Sequence, residues 1–360
     1  MNKKITIISI SIVMLGILAI IIPKIINQTY AVSTTLADKV ISLESTSACN
    51  AGGTGVCKTN SYTDTDSTTK YHDYRYRGAD PSNYVLFNNE LYRIIGVFDS
   101  NSHGKTGKYL VKLIRSRVLY SGSWGVYNST NSSGTYSGYR SDWTGNTTGV
   151  KASANVILNE YFYNKTNTSS TYGACSNWTY YNSNNNYKTF SCSDIVGYGI
   201  NDTYRNYIEE VTWYLKGYKS NSYSKQNFYL CERGLSTDTT NCMSANSGAY
   251  DSTTTANIGL MYASDYLYAS SYFADTATTT ASSYYYGNKN WLYKGDEWTI
   301  TPRSSSAYSA FRVNDAGTLN YSSDIYASYG RGVRPTFYLK SNVLVTGGEG
   351  TFDDPYTVSM

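Results

Sequence analysis

The stretch NYVLFNNELYRIIGVF, residues 83–98, decides the fold class. It consists of two apolar runs, rich in β-branched and aromatic residues, on either side of Asn88 and Asn89. Two such runs around a short Asn-containing turn predict a β-hairpin. A further apolar run, KYLVKLIR at 108–115, predicts the next strand, with residues 99–107 as its turn. The domain is therefore expected to begin as an antiparallel sheet.

The rest of the chain predicts few helices and many short strands. Apolar spacing predicts helices over 153–164 and 201–217, the second ended by Gly217, and a short amphipathic helix within 32–48. Strands are expected over 256–262, 297–302 and 332–340, with a final hairpin over 343–358. Strands, then two helices, then short strands with long loops indicate an α+β domain over 76–358. Residues 32–75 are expected to be a linker and loop.

The N-terminus predicts export. Lys3 and Lys4 precede an uncharged run from Ile5 to Ile22, and Ala31 could end a cleavage site, so residues 1–31 fit a signal peptide. The same run is long enough to span a bilayer as an uncleaved membrane anchor. In either case the positive-inside rule places the remaining chain outside the cell, secreted or anchored by an N-terminal helix.

The six cysteines predict disulfides, because exported proteins mature in an oxidising environment. They lie as neighbours in sequence and favour three local pairs, Cys49 with Cys57, Cys175 with Cys192, and Cys231 with Cys242. A metal site is the weaker alternative. The chain has no CxxC motif, and its two histidines, His72 and His103, are expected in polar turns.

A polar, tyrosine-rich stretch near the C-terminus is the candidate binding surface. Residues 297–340 have rigid, strand-like ends and a middle rich in Ser, Tyr, Asn and Asp, the chemistry of an antibody paratope. The predicted ligand-binding residues are Ser306, Tyr308, Asn314, Asp315, Asn320, Tyr321, Asp324, Tyr326 and Tyr329. The alternative is that these tyrosines are ordinary strand residues, since Tyr has a high β propensity. The net charge of +4 is dispersed and forms no basic stripe, which argues against nucleic acid as a partner.

An ordered set of motifs resembles a family of exported proteins of Firmicutes-type gut bacteria. The motifs are RGADPSNYV (77–85), LYRIIGV (91–97), IGLMYASDY (258–266), GVRP (332–335) and GGEGT (347–351), within a match from about 36 to 358. That family looks like the C-type-lectin-like fold shared with formylglycine-generating-enzyme-type domains. Some relatives look like the variable proteins of diversity-generating retroelements, in which error-prone copying at adenines converts Asn codons to Tyr, Ser, Asp and others. The resemblance therefore implies a C-type-lectin-like domain whose residues 304–329 could be diversified.

The same residues argue against catalysis. A formylglycine-generating enzyme would need a reactive cysteine after Cys242, and none follows. The chain has no G-x-S-x-G motif, and Glu209 and Glu210 are adjacent on a predicted helix, where they would point to different sides. No cofactor is expected; calcium stays open, although Asp80-Pro81 and Asp353-Asp354-Pro355 fit turns better.

The sequence thus predicts an adhesin-like, non-enzymatic binding protein whose partner is an unidentified protein or glycan outside the cell. One alternative is a carbohydrate-binding lectin that stacks sugars on tryptophans such as Trp124 and Trp143. The other is a structural component of the cell surface.

Overall fold

The predicted hairpin of residues 83–98 lies at the centre of the largest sheet in the computed structural model. Its turn residues Asn88 and Asn89 have φ angles of 53° and 59°, the left-handed region that a tight hairpin turn requires and that Asn tolerates. The structure describes residues 33–63, 70–125, 143–144, 151–166, 178–181, 187–190, 192–219, 224–242, 252–277, 287–306, 309–322 and 331–360. The expected N-terminal segment 1–31 lies outside them.

The described chain alternates short helices with short strands. The α-helices are α1 (Leu36–Ile41), α2 (Ser100–His103), α3 (Ser153–Val156), α4 (Cys192–Gly197), α5 (Asp202–Arg205), α6 (Lys225–Glu232) and α7 (Ala263–Ala269), with a π-helix at Ile157–Tyr163 and 3₁₀ turns at Thr46–Cys49 and Gly287–Lys289. The strands are β1 (Gly55–Thr63), β2 (Lys70–Arg77), β3 (Tyr84–Phe87), β4 (Glu90–Phe98), β5 (Leu110–Arg115), β6 (Tyr120–Gly122), β7 (Trp178–Tyr181), β8 (Tyr187–Phe190), β9 (Ile208–Glu209), β10 (Val211–Tyr214), β11 (Thr253–Ala256), β12 (Glu297–Pro302), β13 (Ala310–Val313), β14 (Leu319–Ser322), β15 (Arg331–Val333), β16 (Thr336–Leu339), β17 (Leu344–Gly347) and β18 (Thr357–Ser359).

The largest sheet has seven strands in the order β1-β2-β4-β5-β16-β9, with β3 paired to β4. Every pairing in it is antiparallel. Its central strands are buried almost throughout, with Ile94, Val97 and Leu113 fully inside. Each such aliphatic side chain stabilises the fold by roughly 1.5–3 kcal/mol. The hairpin and the strand over 108–115 are therefore confirmed, and they form the core of the molecule.

The candidate binding segment belongs to a second sheet. This five-stranded sheet has the order β14-β13-β12-β15-β6, and only β12 and β15 run parallel. The predicted strand over 332–340 is divided into β15 and β16, which belong to different sheets. The division falls at Arg334 and Pro335, because proline has no N–H to donate to a ladder. The GVRP motif is therefore the joint between the two sheets.

The α+β class is confirmed, and the helix predicted over 153–164 forms as α3 and the π-helix, but the second predicted helix is wrong. The segment predicted as a helix over 201–217 forms a single helical turn, α5, followed by strands β9 and β10. Val211 and Trp213 are buried while Thr212 and Tyr214 are half-buried, which is strand periodicity, and β10 pairs with β11. Tyrosines of this segment also fall at helical spacing in the sequence, and for that reason the segment was predicted as a helix.

The strand predicted over 256–262 is wrong beyond its first residue, and helix α7 follows it. The strand expected over 256–262 ends at Ala256, and the helix starts at Ala263 after a turn in which Asp265 accepts a hydrogen bond from Tyr262 N at 2.9 Å. All seven residues of α7 are buried. A helix buried on every side has no amphipathic period to reveal it in the sequence.

The expected linker over 32–75 belongs to the folded unit. Helix α1 forms as predicted, but residues 55–63 are strand β1, and β1 pairs with β2 in the main sheet. The described residues from Thr35 onward form one compact unit. Thr and Tyr favour strands even in a segment whose Gly and Ser content is typical of loops.

Two of the three predicted disulfides are present, Cys49–Cys57 and Cys231–Cys242. Cys192 begins α4, and its expected partner Cys175 lies outside the described residues. The disulfides point to an extracellular or otherwise oxidising environment. None of the helices in the described part of the chain is long and apolar enough to cross a membrane.

Candidate ligand-binding surface

The candidate surface is built on the β13–β14 hairpin. On its inner side Phe311, Val313 and Leu319 are buried, and the Phe311 ring packs edge-on against Phe228 at a centroid distance of 4.9 Å. The Thr299 hydroxyl of β12 donates to the carbonyl of Phe311 at 2.9 Å. The hairpin is therefore fixed to the core along its length.

The turn of the hairpin is held by side chains from two directions. The Asn314 Oδ1 atom accepts hydrogen bonds from the backbone N–H groups of Ala316 at 3.1 Å and Thr318 at 2.9 Å. The Tyr266 hydroxyl donates to the carbonyl of Gly317 at 2.6 Å, where φ is 73°. Of the predicted contact residues, Asn314 thus has a structural role at this turn, one that favours Asn because its side chain mimics a backbone turn.

Asp315 lies at the tip of the same turn and is exposed. Its backbone carbonyl accepts a hydrogen bond from the Tyr293 hydroxyl at 2.5 Å. This contact holds the tip of the turn through the backbone of Asp315. Asp315 is the most accessible of the predicted contact residues that the structure describes.

The two faces of the hairpin separate two other predicted contact residues. Asn320 pairs with Arg312, and Tyr321 pairs with Phe311. Because successive side chains of a strand point to opposite faces, Asn320 shares a face with Arg312 while Tyr321 lies on the other side. The sequence predicted one contact face for both residues; in the structure Tyr321 lies on the inner face with Phe311, and Asn320 lies on the outer face.

The face of Asn320, which we call the charged face, also carries Asp296, Arg312 and Arg331. The Asp296 Oδ2 atom lies 2.7 Å from Arg312 Nη1 and 3.3 Å from Arg331 Nε. These three side chains are 14–26% exposed. Burial raises the pKa of Asp296, and the hydrogen bond and charge of Arg312 oppose that shift.

Trp298 forms the floor of the charged face. It is 2% exposed, and the Arg331 guanidinium lies over its ring at 4.7 Å from the centroid. Two guanidinium groups share the Asp296 carboxylate, and the negative charge of nearby Asp315 also raises the pKa of Asp296. Guanidinium forks suit carboxylate or other anionic groups, and the Asn320 amide adds a neutral donor and acceptor.

Tyr321 occupies the opposite face near the edge of the sheet. Its ring is half-buried, with the Arg303 guanidinium 3.6 Å from the centroid and Phe311 edge-on at 6.3 Å. Ser306, three residues after Arg303, is half-buried, and its hydroxyl accepts a hydrogen bond from the Ser309 hydroxyl at 3.0 Å. The Arg303–Tyr321 stack is a preformed edge with both a cation and an aromatic ring.

Four predicted contact residues, Tyr308, Asp324, Tyr326 and Tyr329, lie outside the described residues. The structure adds Arg303, Arg312, Arg331 and Asp296, which sequence reasoning missed because it attended to Tyr, Ser and Asn. Alternation in the sequence around Phe311 and Val313 could have placed Arg312 on the outer face.

A second cluster of charges lies in the core beneath helix α7. Lys112 Nζ is 2.6 Å from Asp265 Oδ2, and Arg75 bridges Asp265 Oδ1 at 3.0 Å and Asp73 at 2.8 Å. All four side chains are at most 1% exposed. Burial raises the pKa of Asp265, but Lys112 and Arg75 outweigh it and hold that pKa below its usual value.

Burial, opposed by Asp265, lowers the pKa of Lys112 to about 8, so the ammonium remains charged at neutral pH. Four aromatic rings surround this ammonium, the nearest that of Tyr262 at 4.4 Å. The cluster is closed to solvent. Its ion pairs connect β2, β5 and α7 and so support the scaffold.

The structure also places the residues that the sequence suggested for sugar stacking, metal binding or catalysis. Trp124 and Trp143 are 0% and 2% exposed, so neither can stack on a sugar at the surface. His103, expected in a polar turn, is buried, and burial lowers its pKa to about 4. Glu209 and Glu210 lie at β9 rather than on a helix, and Glu209 contacts Lys105 at 3.4 Å. Among the described residues, no three His, Cys, Asp or Glu side chains are grouped to hold a metal ion.

The chain was compared with protein-family models, curated proteins and solved structures, and nothing among them matches it.

Proposed function

We propose that the protein is an exported, adhesin-like binding protein without enzymatic activity, and that the β13–β14 hairpin with the charged face is its ligand-binding surface. One observation carries the proposal: the hairpin is fixed to the core on its inner side and at its turn, yet presents partly exposed guanidinium and amide groups on its outer face, with the half-buried Tyr321 ring at the sheet edge. Rigid display of such groups lowers the entropic cost of binding.

Export and fold are part of the same proposal. The disulfides Cys49–Cys57 and Cys231–Cys242 support maturation outside the cytosol, as does the apolar segment after Lys4. Secretion and anchoring by residues 1–31 both agree with these observations. We propose that the α+β unit has the C-type-lectin-like fold that the sequence motifs resemble, and its mostly antiparallel sheets support this.

The structure sharpens the proposal that the segment is diversified. If error-prone copying acts here, substitutions must spare residues that hold the hairpin to the core, namely Phe311, Val313 and Leu319. They should fall on partly exposed positions such as Asn320 and Tyr321. Sequencing the gene from sister isolates tests this, together with a search of its neighbourhood for a reverse transcriptase and a near-repeat of the segment. Changes spread evenly over buried and exposed positions would contradict diversification.

Binding is tested with a variant that removes the displayed groups. The triple variant Arg312→Ala, Asn320→Ala, Tyr321→Ala deletes a cation, an amide and a phenol from the hairpin. The matched control removes the same three chemistries elsewhere, as Lys58→Ala, Asn50→Ala, Tyr109→Ala, all at exposed positions. The probes are two proteins, immobilised fibrinogen and enzymatically deglycosylated mucin.

We expect the control variant to bind as the wild type does and the hairpin variant to lose at least tenfold in affinity. Circular dichroism and the thermal midpoint establish that both variants are folded. Equal binding by the folded hairpin variant would refute the proposed surface. Self-assembly of the wild type into sheets without any of these ligands would favour a structural cell-surface role instead.

A further inference from the structure

A polar cleft lies between the π-helix and the β10–β11 ladder, away from the β13–β14 hairpin. It has a volume of about 370 Å³, within the range of small-molecule sites. The helical wall contributes Asn155, Asn159, Tyr163 and Asn164, and the strand wall contributes residues 254–257. The cleft shares no lining residue with the charged face or with the Arg303–Tyr321 edge.

The π-helix explains how one wall becomes polar. Its core side buries Ile157, Leu158, Tyr161 and Phe162. The Asn164 N–H donates to the Asn159 carbonyl at 3.2 Å, five residues back, which is the wide turn of a π-helix. Spacings of four to five residues therefore share a face, and the cleft receives Asn155, Asn159, Tyr163 and Asn164. Short π-helical segments are rare in proteins and are frequent at functional sites.

Hydrogen-bonded amides fix the two walls to each other. The Asn159 side chain donates to the carbonyl of Ile258 at 3.0 Å and accepts from its N–H at 3.1 Å. Its amide also donates to Asn155 Oδ1 at 2.8 Å, while the Asn155 amide donates to the carbonyl of buried Trp143 at 2.7 Å. The cleft is thus preformed, which reduces the ordering cost for a ligand.

The accessible lining is mainly uncharged. Thr255 and Asn164 are exposed, and Thr254, Asn257 and Tyr163 are half-buried. Hydroxyl and amide groups both donate and accept hydrogen bonds, and the tyrosine adds an apolar ring. The charged lining residues are Lys151, which already pairs with Glu160 at 3.5 Å, and exposed Glu210. With Lys151 paired to Glu160, the charge left at the rim is that of Glu210, which disfavours an anionic ligand.

We propose that this cleft binds a neutral saccharide. The hydroxyls of a sugar need paired donors and acceptors such as the amide of Asn257 and the hydroxyl of Thr254, and the apolar face of a sugar ring fits against Tyr163. The site is independent of the proposed hairpin surface, so the protein has two recognition sites of different chemistry.

The test uses the full protein on a printed array that contains neutral, sialylated and sulfated glycans, with hits re-measured as free oligosaccharides by calorimetry. We expect neutral glycans to bind. Asn257→Ala and Thr254→Val should each weaken binding at least tenfold, and Tyr163→Ala should do the same while Tyr163→Phe retains the ring and most of the affinity. Thr255→Arg, at an exposed position, should block the cleft by bulk without disturbing the core.

The hairpin triple variant is the control and should bind the same oligosaccharide with wild-type affinity. Two results would overturn the proposal: an array on which no neutral glycan binds, or a neutral glycan whose affinity is unchanged in the folded Thr255→Arg and Asn257→Ala variants. Loss of glycan binding in the hairpin variant alone would place the sugar at the hairpin. The experiments can therefore refute the saccharide site and the hairpin surface independently of each other.

Discussion

The ion pair between Arg334 and Glu297 lies at the base of the proposed binding surface and gives the sharpest test of the architecture. Arg334 Nε lies 2.6 Å from Glu297 Oε2, Nη2 lies 2.5 Å from Oε1, and Nη2 also donates to the carbonyl of Leu292 at 2.6 Å. Both side chains are 1% exposed. Glu297 begins β12 and Arg334 stands between β15 and β16, so the pair joins the two sheets. Replacing Arg334 with Met keeps the packing volume and leaves the carboxylate buried alone.

Removing one partner of a buried pair costs about 3–5 kcal/mol, whereas replacing both by apolar residues of similar volume is often close to neutral. Arg334→Met should therefore lower the free energy of unfolding by about 3–5 kcal/mol. The double variant Arg334→Met, Glu297→Met should recover most of that loss. Burial already raises the pKa of Glu297, and Arg334 is the largest opposing influence, so the single variant raises that pKa further.

The sign of the pH dependence follows from that shift. A carboxyl whose pKa is higher in the folded state destabilises the fold most at pH above its folded pKa, and the cost vanishes below its unfolded pKa. The deficit of Arg334→Met should therefore be largest near neutral pH and shrink as the pH falls toward about 4.5, the ordinary Glu range. The double variant should lack this component.

Urea denaturation followed by tryptophan fluorescence, at several pH values, measures these differences. The core tryptophans Trp298 and Trp291, both 2% exposed, report loss of packing near the pair. A loss below about 1 kcal/mol in the single variant would refute the reasoning. So would a double variant as unstable as the single one, because the cost would then not come from the unpaired charge.

Three further variants test other parts of the structure. Asn89→Gly should stabilise the protein by up to about 1 kcal/mol, because φ at 89 is 59° and glycine adopts that region without strain; a lower thermal midpoint would contradict the turn. Removing the Cys231–Cys242 disulfide by Cys231→Ser, Cys242→Ser should cost about 2–4 kcal/mol in urea denaturation, with unchanged stability as the contrary result. Burial lowers the pKa of His103 to about 4, so stability present above about pH 6.5 should fall by up to about 3 kcal/mol as the pH drops to about 4. His103→Gln should flatten that pH dependence, and an equally steep acid loss in this variant would rule out His103 as its source.

Local patterns were sufficient to predict much of the scaffold. Residues 83–98 contain both strands and their turn within sixteen positions, so side-chain alternation and the Asn pair predict the hairpin without distant partners. The pairs Cys49–Cys57 and Cys231–Cys242 were predictable for the same reason, since each joins near neighbours. Helix α1 and the helical segment predicted over 153–164, formed by α3 and the π-helix, also follow from local apolar spacing, although the π register itself does not.

Long-range packing decided the rest. The segment 208–214 becomes strand because β16 and β11 offer it hydrogen-bond partners, and those partners lie far away in sequence. Helix α7 is buried on all sides. Its Asp265 forms ion pairs with Arg75 of β2 and Lys112 of β5, which are distant in sequence. Such contacts have no periodicity for a sequence pattern to reveal.

By itself, then, the sequence determined the α+β class, the central hairpin and the two observed disulfides; the place of the candidate surface stays a prediction. The tertiary structure alone decided which face each side chain of that surface occupies. It placed Asn320 with Arg312 above Trp298, assigned Asn314 to the turn, and put Tyr321 on the opposite side against Arg303. The physical reason is strand register: composition marks a segment as polar and aromatic, but only pairing with β12 and the core fixes which alternate residues face outward.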